Sequence, residues 1–377
     1  MNVLFVIHTP KDPYSAVYKN YQQLLPFLEK HGHRATILAP EDFPSLRRWH
    51  PRWIPLLYPF WVAKWLARQG GQHDIVSFHS YAGWVVNLLR KVIPPYRRIR
   101  TITASHGLEP LYYNALRERI EGAGQTLTLR FRLVHGFLVP RLLRLSCRRS
   151  DLIQCLTLEE ATYLEQNDWA PKSRVSVVAH GVPEEFFCSR EYSREVHRLL
   201  FVGQWEERKG IRYLVEAFSE LICEDLKLEL WCVGTLLEAE RVLASFPKEV
   251  RSQVLVRPRV GRKELVEVYR NADVFLFPSL YEGFGNVILE AMAAGLPIVS
   301  TPVGAAVDLL EPGLNALIVP RYDAMALAKS VRRLLDDVSL RERLGREARA
   351  AAADYELERV HRKLVSLYEE VLATKSS

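Results

Sequence analysis

Two carboxylates eight residues apart, Glu282 and Glu290, stand in the stretch from Ser279 to Gly295, which reads SLYEGFGNVILEAMAAG. Carboxylates only accept hydrogen bonds, so beside a phosphate they make sense if they meet hydroxyl groups, and sugars supply hydroxyls. Gly283 and Gly285 leave the loop backbone unshielded, which lets a ligand approach closely. Asn286 is expected to cap a helix that stops at Gly295. The amides around Gly285, Asn286 and Val287 would then meet a phosphate at the positive end of that helix. A second group lies upstream, where Gly203-Gln-Trp-Glu-Glu precedes Arg208-Lys209-Gly210. Adjacent arginine and lysine at a sheet edge can neutralise a diphosphate. His106, followed by Gly107, ends the apolar run Ile99–Ala104 and suits a group that orients a sugar or moves a proton; His79 ends the preceding run. The bland alternative is a strand–loop–helix with two solvated glutamates, an exposed basic turn and structural histidines.

The elements that must hold these residues are visible as short apolar runs. In the first half they are Val3–Ile7, Arg34–Ala39, Asp74–Phe78, Ile99–Ala104, Asp151–Cys155 and Val175–Ala179. In the second half they are a run from Leu199 to Gly203, then Leu226–Val233, Val254–Val256, Asp273–Phe277, Ile298–Ser300 and Ala316–Val319. Helical spacing separates them, including Lys263–Asn271 and a last helix over about Tyr355–Thr374. Alternating strands and helices imply an α/β protein with open parallel sheets, whose ligands sit beyond the strand carboxyl ends. A chain of 377 residues implies two domains. No run approaches the roughly 18 apolar residues of a membrane span. The start passes directly into an apolar strand, so no signal peptide is expected. Cys147, Cys155, Cys188, Cys223 and Cys232 form no C-x-x-C pair, as in a cytoplasmic protein with reduced thiols.

Charge divides unevenly. Residues 1–190 hold 25 Lys and Arg against 15 Asp and Glu, whereas residues 191–377 hold 26 against 29. A basic first half suits an anionic partner. Residues 47–69 add Trp49, Trp53, Trp61 and Trp65 to five Lys and Arg, the composition of a segment lying on a membrane surface, although prolines are expected to interrupt its helix. The same composition fits a helix packed on the sheet with solvated charges. The arginines between Arg130 and Arg149 add to the same field. Nucleic acid is not the expected partner, since no recognised binding motif is present.

The residues Glu282, Gly283, Phe284, Gly285 and Glu290, with Ala294-Gly295-Leu296-Pro297-Ile298-Val299 after them, resemble the E-x7-E signature of the retaining glycosyltransferases of family 4. The run from Gly203 to Ile211 resembles that family's donor-phosphate loop. The resemblance covers nearly the whole chain and implies the GT-B fold, two Rossmann-like domains whose parallel sheets face each other across a cleft. It places an acceptor-binding domain at 1–190, a nucleotide-sugar domain at 191–355, and a helix at 356–377 crossing back. It implies hexosyl transfer with retention from a UDP- or GDP-sugar to a glycan or lipid-linked acceptor. The leaving diphosphate would be stabilised by Arg208, Lys209 and the helix amides. Glu282 would face the donor sugar, Glu290 the ribose diol, and Arg259 would precede the helix against the base. His106 would orient sugar or acceptor. No D-x-D triplet occurs, so no metal and no other cofactor is expected. The location implied is cytoplasmic, with peripheral contact on the inner face of a membrane left open.

Two positions depart from the family pattern. Ser15-Ala16 replaces the usual Gly-Gly pair at the first strand–helix turn, and His180 stands before Gly181 where Asn is usual. Two rival readings remain: a sugar-nucleotide 2-epimerase of similar architecture, and a non-catalytic scaffold on the same fold.

Overall fold

The computed structural model describes the chain except residues 13–14, 51–52, 70, 123, 193–197, 224–226 and 375–377. A linker is expected over about Glu184–His197; its residues 193–197 and the expected start of a strand at Leu226 lie outside the described residues. Among the described residues, twelve parallel strands form two sheets of six. The first sheet contains β1 (Asn2–Val6), β2 (Arg34–Leu38), β3 (Ile75–His79), β4 (Arg100–Ala104), β5 (Leu152–Cys155) and β6 (Val175–Val177). The second contains β7 (Arg198–Val202), β8 (Glu229–Val233), β9 (Val254–Arg257), β10 (Val274–Phe277), β11 (Ile298–Ser300) and β12 (Leu317–Ile318). Central strands are buried along their length, as expected of parallel strands covered on both faces.

The strand orders are β2-β1-β3-β4-β5-β6 and β12-β11-β10-β7-β8-β9. In the second sheet the order reverses between β7 and β10, which opens a crevice beyond their carboxyl ends. In the first, the corresponding reversal lies between β1 and β3.

Two compact units divide the chain: residues 1–180 with 360–377, and residues 181–359. Residues 181–190, expected with the first domain, pack in the second unit, because the Arg190 guanidinium donates to the carbonyls of Tyr269, Ala272 and Ala294 at 2.6, 2.5 and 3.0 Å. The last helix, Leu357–Ala373, sends Val360, Leu364, Val365, Tyr368 and Val371 into the same apolar cluster as Val3, Phe5, Tyr21 and Leu28 of the first unit.

The tryptophan-rich segment corrects one expectation. A single helix, Ile54–Arg68, runs through Pro59 without interruption. Pro59 removes one backbone bond, yet Tyr58, Pro59, Val62, Ala63 and Leu66 are buried along one face, which outweighs that loss. Trp61 and Trp65 pack on the core, while Trp49, Trp53 and Phe60 are about half exposed.

Candidate functional site

The crevice between β7 and β10 receives the loops that follow those strands. After β7, a turn of 3-10 helix, Glu207–Lys209, presents Arg208 and Lys209 and ends at Gly210 with φ +69°. A side chain at 210 would meet the Pro278 carbonyl oxygen at 1.9 Å, so glycine alone fits there. After β10, Ser279, Glu282 and Gly285 lead into the helix Asn286–Ala293. The amides of Leu280 and Tyr281 both donate to the Arg208 carbonyl, at 2.8 and 3.4 Å, so the two loops are joined through their backbones.

Glu282 is the hub. Its Oε1 accepts from Lys209 Nζ at 2.5 Å and from Ser279 Oγ at 2.9 Å, and its Oε2 accepts from Arg208 Nη1 at 3.3 Å. The Glu282 and Lys209 side chains are only 6% and 10% exposed, so this is a largely desolvated pair whose mutual attraction is weakly screened. Arg208 is half-buried and also bonds Glu206 Oε2 through Nε at 2.8 Å. Two cations thus meet two carboxylates, the central Glu282 and the more exposed Glu206, with which an incoming anion would compete for Arg208 and Lys209. Gly203 adds no side chain beside Lys209, whose Cε would lie 3.5 Å from a Cβ there.

The helix start differs from expectation. Asn286 is the first helical residue, and Gly285 holds the capping position with φ +92°. That conformation suits glycine, and a Cβ there would press on the Phe277 ring at 3.0 Å, so no side-chain cap forms. The backbone turn still directs the amides at Asn286 and Val287 out of the helix end, where they favour an anion.

Glu290, one turn in, is half-buried and accepts from the Tyr269 hydroxyl at 2.9 Å. Tyr269 also reaches the Val287 carbonyl at 3.3 Å. Burial and the Glu290 carboxylate push this phenol well up, so it stays a donor. The Phe284 ring is buried and its carbonyl accepts from Ala305 N at 2.7 Å, which fixes the loop between Gly283 and Gly285. Thr301 Oγ1 braces the same loop by donating to the Ser279 carbonyl at 2.5 Å. Arg259 is exposed on the loop after β9 and is not among the side chains that bond Glu282. His106 belongs to the first unit, at the end of β4. Tyr269 was not singled out by the sequence, and Ser279 and Thr301, though they lie in the stretches that form the site, were given no hydrogen-bonding role. The one signal for Tyr269 was a phenol on the buried face of its helix, which needs a partner for its hydroxyl.

Among the described residues, no three His, Cys, Asp or Glu side chains are grouped to hold a metal ion. No helix there is long and apolar enough to cross a membrane.

Comparison with known proteins places this arrangement. Residues 21–186 match the family described as Glycosyltransferase Family 4, and residues 196–337 match the one described as Glycosyl transferases group 1. The capsular polysaccharide biosynthesis glycosyltransferase CapM of Staphylococcus aureus is 29% identical over 196 residues, 48% of this chain and 51% of that protein. The chain spans about half the length of the curated relatives it matches. Sucrose-phosphate synthase from Thermosynechococcus elongatus superposes with a TM-score of 0.78 at 21% identity, covering 99% of this chain and 100% of that one. HepE of Anabaena, solved in complex with UDP-glucose, superposes with a TM-score of 0.69 at 14% identity over 98% and 100%. With the two family matches covering successive parts of the chain and the fold shared end to end, the chain joins a Glycosyltransferase Family 4 domain to a Glycosyl transferases group 1 domain and has the GT-B fold.

Proposed function

We propose that the protein transfers a hexosyl group, with retention of anomeric configuration, from a nucleoside diphosphate sugar to a glycan or lipid-linked acceptor. The observation that carries the reading is the cluster of Arg208, Lys209 and Glu282 beside the start of the helix Asn286–Ala293, at the switch point of the second sheet. As the glycosidic bond breaks, charge builds on the leaving phosphate. Lys209, Arg208 and the helix amides are fixed in advance to receive it. Glu282, held by three donors, keeps both cations in place and leaves part of Oε2 for a donor hydroxyl. Glu290, oriented by Tyr269, accepts from a ribose diol. The first unit, with His106, takes the acceptor.

In this reading the two cations and the helix end do the work that a divalent ion does elsewhere. The absence of a D-x-D triplet supports it. Incubation with UDP- and GDP-sugars and candidate acceptors is expected to give a product heavier by one hexose at a rate unchanged by EDTA. A donor converted to an isomer of equal mass would favour an epimerase. A strict requirement for Mg²⁺ or Mn²⁺ would overturn the metal-free reading.

A lipid-linked acceptor is favoured by the basic first half together with exposed apolar side chains there: Trp49, Trp53, Phe60, Leu129, Leu133 and Phe137. Such side chains enter the headgroup region while nearby cations attract anionic lipid. The protein is expected to sediment with phosphatidylserine-containing vesicles at low salt and to be released at high salt. Failure to sediment at low salt would retire the membrane surface as a partner.

A further inference from the structure

At the carboxyl edge of the first sheet, four imidazoles form a row. His8 follows β1, His79 ends β3, His106 lies beyond β4, and His180 is the last residue before the chain leaves the first unit. His8 and His79 stack with ring centres 4.3 Å apart, His79 and His106 meet edge to face at 5.0 Å, and His106 and His180 lie 5.2 Å apart. Two hydrogen bonds use both nitrogens of His106. Its Nδ1 is 3.2 Å from His180 Nε2, and its Nε2 is 3.2 Å from the Tyr21 hydroxyl. Asn20, next to Tyr21 on the helix Ala16–Lys30, reaches the His180 ring at 3.0 Å. Neighbouring residues of one helix therefore close a circuit through two histidines.

Burial pushes His79 and His106 well below the usual histidine range, and His8 down to about 4. A neutral imidazole carries one N–H and one bare nitrogen, and the partner of each nitrogen decides which is which. Burial raises the Tyr21 phenol, so it remains protonated and able to donate. The second fixed point for His106 is then His180.

We propose that His180 is a positioning residue: through Nε2 it fixes the tautomer and ring plane of His106, the group that the first unit presents to the sugar or acceptor. The claim about presentation rests on the proposed transfer reaction, whereas the claim about tautomer does not. The groups facing His106 are His8 from β1, His79 from β3, Tyr21 from the first helix, His180, and two carboxylates close in sequence or through its loop. Glu109 starts the next helix, and Glu160 holds the Ser105 hydroxyl and Leu108 amide on either side of His106 at 2.7 and 3.0 Å. Of these, His180 is the foremost charge opposing protonation of His106.

The test compares His180→Leu, which keeps bulk and removes the nitrogen, with His180→Gln, which returns an amide near the place of Nε2. Nitrogen-15 NMR is expected to show one His106 tautomer in the wild type and the Gln variant, and an averaged signal in the Leu variant. The His106 titration midpoint should rise in the Leu variant, because the like charge beside it is gone. Transfer should lose about tenfold or more in kcat with donor KM unchanged. The acid limb of its pH profile should move to higher pH, and Gln should restore most of the rate. A Leu variant with a single tautomer, an unmoved midpoint and wild-type kcat would overturn the proposal. If the wild type transfers no sugar to any acceptor, the reaction assigned to the protein fails, and the NMR result still decides what His180 does.

Discussion

Lys209→Ala is expected to lower sugar transfer by about 10²-fold or more, the size of effect seen when one preorganised donor to a developing oxyanion is removed. The loss should fall on kcat and kcat/KM alike, because the interaction strengthens as charge leaves the sugar. The fold should survive, since Glu282 keeps two donors, Arg208 Nη1 and Ser279 Oγ. Steady-state kinetics beside a melting curve separate the two effects. A variant with wild-type turnover would remove Lys209 from the reaction; a variant that fails to fold would show that the pair is chiefly structural.

Glu282→Ala is the complementary case, with its largest effect on stability. It leaves the Lys209 ammonium, which is 10% exposed, without its carboxylate. Breaking such a pair from one side costs about 3–5 kcal/mol, since the remaining charge stays desolvated. Denaturant unfolding should show this as a lowered midpoint with an unchanged slope. A nucleoside diphosphate should then raise the melting temperature of the variant more than that of the wild type, because its phosphate supplies the missing negative charge. An unchanged midpoint would mean that Lys209 finds water or another acceptor, and that Glu282 is not the hub of the site.

How much of this was legible in the sequence depends on the range of the interaction. The strands were legible because each is a short apolar run, and their ends differ by at most two residues from the runs as written, except that β8 begins three residues after Leu226. The loops after β7 and β10 were legible for the same reason, since each follows a strand and opens a helix. The pairing of Lys209 with Glu282 was not, because it spans 73 residues and is set by the order of strands in the sheet. Asn286 was misplaced by one residue because side-chain capping preference competes with a backbone turn that glycine fits better. Pro59 was read as a helix breaker because local propensity is visible in sequence and the burial that overrides it is not. His180 was noted only as standing before Gly181 where the family has Asn, with no role given to it. Only the gathering of β1, β3 and β4 ends shows that it belongs with His8, His79 and His106.

The fit of Gly210 under the Pro278 carbonyl has a further consequence. The spacing between the cation-bearing turn and the carboxylate-bearing loop is set by peptide packing, with the ion pairs lying on top of it. Charge at this site is therefore separable from shape. Substitutions at 208, 209 or 282 retune what the pocket attracts while its walls keep their distance, whereas one added methyl group at 210 pries the walls apart with every charge intact.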